Sequence, residues 1–147
     1  MKPVGHVAIS SVISLVVWAS FRSWPCALAS FLAGVFIDLD HLIDYYSCHG
    51  FTVKAKDVYD ACAEMSMKKL YLFLHSYEIM FLMWAAIYIF SLPDIWKATA
   101  IGMTQHLVLD QVTNPITIPG YFLTYRMLNG FKKEAMLRQT KGIRWPS

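Results

Sequence analysis

Histidine and aspartate carry the chemistry of this chain, and they recur at the ends of apolar runs. His6 opens the first run, and the string Asp38-Leu-Asp-His-Leu-Ile-Asp44 closes the second. His75 falls in the first turns of the third, with Glu78 three residues on, and His106 and Asp110 end the fourth. Ionisable groups in apolar segments are costly unless they face a partner or a cavity. On a helix, the four-residue step from His106 to Asp110 and the three-residue steps Asp38–His41 and His75–Glu78 each put two side chains on one face. Imidazole nitrogen with carboxylate oxygen suits zinc, manganese or iron, and several bridging carboxylates suit a two-metal centre.

His6, Asp38, His41, His75, His106 and Asp110 are therefore the expected ligands of one or two divalent ions, zinc or manganese. Asp38 or Asp110 would bridge and hold an activated water. Asp40 would orient a histidine ligand or serve as base, so Asp40 and Asp110 are the expected catalytic carboxylates. Taken singly these residues have plainer readings. Asp44 reads as a structural carboxylate at a helix end, Glu78 as a hydrogen-bonding partner within the helices, and His75 or His106 as a satisfied core histidine. His49, beside Cys48 and Gly50, is set aside.

The elements that must position these residues are four apolar helical segments, at about His6–Phe21, Trp24–Ile37, Leu70–Leu92 and Ile95–Asp110. Pro25 and Pro93 stand where helices begin or break. Alternating the segments up and down brings all of the candidate ligands to one end. Tyr45–Lys69 is a polar, partly helical stretch, and Thr113–Gly120 cannot continue a helix. Tyr121–Leu128 is apolar and is expected to re-enter the interface. The expected organisation is a helical membrane domain over residues 1–128, containing the polar loop 45–69, and a basic tail over 129–147.

Of the 147 residues, 56% are hydrophobic and 16% charged. Soluble domains carry about 25% charged residues. The composition excludes disorder, and the net charge of +3 is too small for a nucleic-acid binder. Cys26, Cys48 and Cys62 form no CxxC pair, so no disulfide framework or zinc knuckle is implied. Lys2 and the run from Val7 to Phe21 superficially resemble a secretory signal. The next apolar run follows after only Arg22 and Ser23, which suits a retained helical hairpin. The expected class is all-α, a membrane-embedded bundle of about four helices, with self-association left open. Only the third segment reaches the length of about 20 residues that a span asks for. Placing both termini in the cytoplasm puts eleven of the 13 lysines and arginines inside, with Arg22 and Lys97 outside. The ligands then converge at the cytoplasmic end.

The strings Gly5-His6, Asp38-Leu-Asp-His41, His75-Ser76 and His106-Leu-Val-Leu-Asp110-Gln-Val-Thr-Asn-Pro115 resemble the small inner-membrane proteins described as membrane-bound metal-dependent hydrolases, the YdjM-like group. The match is spread over residues 5–115. More distantly, the His-x-x-x-Asp helix is similar in arrangement to the zinc-dependent phospholipase C fold. The family usually has His-Arg-Gly-x-Thr-His-Ser where this chain has Leu70-Tyr-Leu-Phe-Leu-His75-Ser76, without the first His or the Arg. The resemblance implies a hydrolase of a bacterial or archaeal cytoplasmic membrane. Together with the ligand pattern, it leads to the expectation of a phosphoesterase acting on a lipid or lipid-linked substrate. Two alternatives stand beside it. One is a non-enzymatic membrane protein using the layer for ion transport or metal sensing, and the other is a purely structural set of His–Asp pairs.

Overall fold

The computed structural model describes residues 3–50 and 69–137. Lys54, Lys56, Lys68 and most of the basic tail lie outside the described residues. Those described are helical, with isolated bridges and no strand among them.

Helix α1 (Pro3–Phe21) ends in a tight turn at Arg22, whose φ is 51°. Ser23 then caps α2 (Trp24–Phe36), its hydroxyl accepting from the Cys26 amide. A 3-10 turn, Ile37–Leu39, leads without a break into α3 (Asp40–His49). The second segment was expected to end at Ile37, but it runs on helically through the Asp/His string. Asp38 therefore sits on the 3-10 turn and Asp40 opens α3.

The third segment differs more. Helix α4 spans only Tyr77–Ile89, capped by Ser76, whose hydroxyl accepts from the Ile79 amide. Residues 70–76 form no helix, so His75 precedes α4 instead of lying in its first turns. Helix α5 (Asp94–Thr113) follows Pro93. A 3-10 turn at Ile118–Tyr121, α6 (Leu123–Leu128) and α7 (Lys133–Met136) complete the described chain. The first nine residues of the expected tail fold back: Thr117 bonds the Met136 carbonyl, and Met136 and Leu137 are buried.

Contacts fix the helix directions. Val17, Cys26 and Ala98 pack together at one end, while His6, Asp38, His106 and Asp110 meet at the other. Thus α2 and α5 run parallel, and α1 runs against both. Trp84 donates to the Thr104 hydroxyl, and Met80 shares a core with Leu107, so α4 runs against α5. The α2–α5 crossing is closest at Gly102, where a Cβ would collide with the carbonyl of Ser30. That approach brings the backbone of α2 within reach of His106.

Val4–Phe21 and Trp24–Ser47 are long and apolar enough to cross a membrane, whereas α4 is a shorter apolar helix. The expectation that only the third segment reaches spanning length is thereby reversed. The 3-10 turn extends the second segment, and the non-helical stretch before Tyr77 shortens the third.

Candidate metal centre

Four ligand atoms from three parts of the chain meet at the site end. Nε2 of His75 and Nε2 of His106 are 3.3 Å apart. Asp38 Oδ1 lies 3.4 Å from the first and 3.2 Å from the second. Asp110 Oδ2 lies 3.6 and 3.5 Å from the same two nitrogens. All four residues offer ligand atoms within 4.8 Å of one another. Tetrahedral zinc, with bonds of 2.0–2.2 Å, separates its ligands by roughly 3.3–3.6 Å. Five of the six edges, 3.2 to 3.6 Å, lie at or near that spacing, and the sixth, between Asp38 and Asp110, is within 4.8 Å.

The ring nitrogens facing away are also engaged. His106 Nδ1 bonds the Gly34 carbonyl at 2.8 Å, and His75 Nδ1 lies 3.4 Å from Asp40 Oδ2. A metal-ligating histidine characteristically gives its second N–H to a carbonyl or carboxylate, which fixes the tautomer and aims the other nitrogen at the ion. With both Nδ1 atoms donating, two Nε2 lone pairs point at each other across 3.3 Å. Neutral imidazoles cannot bond each other in that arrangement. A proton shared between them, or a metal cation in its place, resolves it.

The other expected ligands hold different places. His6 Nε2 pairs with the second oxygen of Asp110 at 3.1 Å, and its ring stacks on His106 with centroids 4.1 Å apart. His6 therefore reaches the cluster through Asp110. His41 Nε2 is 3.7 Å from Asp38 Oδ1 and stands outside the four-atom group. Asp40 is buried away from the convergence point, where its Oδ2 accepts from the Leu74 and His75 amides. Of its two expected roles, the orienting one is the one these contacts fit. Asp44, also buried, accepts from the Tyr71 amide at 2.8 Å. Glu78 turns away entirely and caps α6, accepting from the Leu123 and Thr124 amides and the Thr124 hydroxyl. Its helical partner of the sequence pattern, His75, is off the helix, so the same-face spacing never forms.

Access is one-sided. The Asp38 side chain is 34% exposed and that of His41 24%, against 3% or less for His75, His106 and Asp110.

Arg126 is the residue that sequence reasoning counted only as a cytoplasmic charge. It is fully buried, and its guanidinium donates to the carbonyls of Tyr71, Leu72 and His75. Burial lowers its pKa, and the nearby Asp40, Glu78 and Asp44 carboxylates oppose that shift. The only signal in the sequence was a lone arginine within an apolar stretch, Tyr121–Leu128.

Comparison with protein-family models, with curated proteins and with solved structures finds no match to this chain.

Proposed function

We propose that this chain is a membrane-bound metal-dependent hydrolase, a phosphoesterase acting on a lipid or lipid-linked substrate. The observation that carries the reading is the meeting of His75 Nε2, His106 Nε2, Asp38 Oδ1 and Asp110 Oδ2 at tetrahedral spacing, with both histidines oriented from behind. Those four residues would hold one divalent ion, zinc or manganese. Asp110, whose other oxygen meets His6, is the carboxylate placed to share a second ion. Such an ion supplies Lewis acidity to a phosphoryl group and acidifies water. Asp38 lies on the accessible side, where substrate and water enter. His41, partly exposed beside it, would contact a leaving group.

The apolar surface supports a lipid setting. Only 17% of Val4–Phe21 and 33% of Trp24–Ser47 is buried, far less than a soluble core helix of that composition requires. Small and polar residues (Ser10, Ser14, Ser30, Gly34, Gly102, Gln105) make the helix contacts, as in membrane bundles. Phe36, Leu39 and Ile43, exposed in the segment that carries Asp38 and His41, suit an amphiphilic substrate. Charge bias along the sequence supports a cytoplasmic setting for this end of the bundle and for both termini. The resemblance to the YdjM-like group supports the same reaction class.

Elemental analysis of detergent-purified protein tests the site, and turnover of a chromogenic phosphoester with added zinc or manganese tests the activity. His106→Ala and Asp110→Ala should lose both while still inserting in membranes. Metal-free wild type after incubation with either ion would sink the reading.

A second reading has one observation in its favour. Four protein ligands at tetrahedral spacing also describe a site that only holds its ion, as in a metal sensor. Stoichiometric metal without any phosphoester turnover would select it.

A further inference from the structure

We infer that Arg126 is the positioning residue of the metal centre, locking the 70–75 segment so that His75 reaches the ion. The inference rests on the metal reading above and adds to it a residue outside the ligand set.

His75 is the one member of the four-atom group that no helix carries. Asp38 stands on the 3-10 turn between α2 and α3, and His106 and Asp110 share α5. The backbone around His75 is instead held by side chains from distant elements. Asp44 takes the Tyr71 amide, and Asp40 takes the amides of Leu74 and His75. Arg126 in turn takes the carbonyls of Tyr71, Leu72 and His75. Leu72 is buried with φ at 42°, a left-handed conformation that a leucine keeps only where its surroundings enforce it. The Arg126 bond to the Leu72 carbonyl falls on that residue.

Arg126 is anchored in turn. Its helix α6 is capped by Glu78 from α4, and Phe131 just beyond α6 accepts from the Leu70 amide and packs on Tyr71. The C-terminal elements therefore close on the segment that delivers the histidine. A guanidinium suits this task because its fork of donors can serve three carbonyls at once, whereas an ammonium is a point donor.

The test uses the full-length chain in detergent, with zinc for affinity and cobalt for its absorption spectrum. Arg126→Lys should stay helical yet bind zinc about 10–100-fold more weakly, the usual effect of losing a group that orients a ligand. Its cobalt spectrum should move towards that of His75→Ala. Added to His75→Ala, the same change should cost little more affinity, whereas added to His6→Ala, which acts through Asp110, it should cost its full factor. A folded Arg126→Lys protein with zinc affinity within about twofold of wild type would overturn the inference. So would an equal loss in the two backgrounds. Should Arg126→Lys not fold, hydrogen exchange on wild type decides. Zinc should raise protection of residues 71–75 and of α6 together, and protection confined to 71–75 would overturn the inference. Wild type that takes up no metal would remove the metal reading along with this one, and so is distinguishable from failure of this one alone.

Discussion

The carbonyl of Gly34 accepts the Nδ1 proton of His106 at 2.8 Å, and this bond exists because Gly102, one turn earlier on α5, lets the α2 backbone come within contact of its own. A side chain at 102 would strike the Ser30 carbonyl, and one at 34 would strike Ser10 and Gln105. Helix packing and ligand orientation are therefore one feature. Gly102→Val should force α2 and α5 apart at an overpacking cost of about 1–3 kcal/mol. It should also weaken zinc binding, because His106 loses the acceptor that fixes its tautomer. Thermal denaturation in detergent and a zinc titration read the two effects. Lowered stability with unchanged zinc affinity would show that the crossing does not orient the histidine.

Metal uptake should release protons. With both Nδ1 atoms donating, the two Nε2 atoms need a proton between them in the absence of a cation, and a divalent ion displaces it. Calorimetry in buffers of different ionisation enthalpy should find about one proton released per zinc at neutral pH. As pH falls, protons compete with the metal for the two Nε2 atoms, and affinity should drop steadily from pH 8 to about 5. Affinity independent of pH between 5 and 8 would argue against histidine ligation.

The six histidine and aspartate positions marked as ligands should separate into tiers. Removing His106 or Asp110 should abolish stoichiometric binding. His6→Ala should bind metal about 10–100-fold more weakly, since His6 reaches the ion through Asp110. His41→Ala should bind metal normally and lose turnover, because its imidazole stands outside the four-atom group on the accessible side. Metal analysis beside initial rates sorts these outcomes, and a His41→Ala protein devoid of metal would place His41 among the ligands.

Much of this arrangement was legible in the sequence, and the part that was not has a physical cause. His106 and Asp110 meet on one face of α5 because four-residue spacing on a helix requires it. Alternating apolar segments likewise put His6, Asp38, His106 and Asp110 at one end. Leu70–Ser76, by contrast, reads as the start of an apolar helix, and its backbone is not helical. Its amides and carbonyls are taken by Asp40, Asp44 and Arg126, residues far away in the chain, which periodicity cannot register. The same blindness made Glu78 look like a same-face neighbour of His75 and Arg126 look like a surface charge. The two carboxylates Asp40 and Asp44, four apart on α3, carried the one available hint, since their shared face meets the amides of the 70–75 segment.

Glu78 offers a test of that distinction between ligand and support. It accepts two backbone amides and a hydroxyl at the start of α6, and it approaches none of the four ligand atoms. Losing a helix cap costs about 1 kcal/mol, with the larger losses where a side chain takes several amides. Glu78→Ala should therefore lower the melting temperature while the protein still binds one full equivalent of zinc at saturation. Since α6 carries Arg126, its affinity should weaken in the direction of Arg126→Lys, but by a smaller factor. Glu78→Gln, which keeps one carbonyl acceptor for the cap, should recover part of both losses. The measurement is a zinc titration of the three proteins, followed by elemental analysis at saturation. Substoichiometric metal at saturating zinc in Glu78→Ala would mean that Glu78 contributes to the ligand set, and that α6 docks without it.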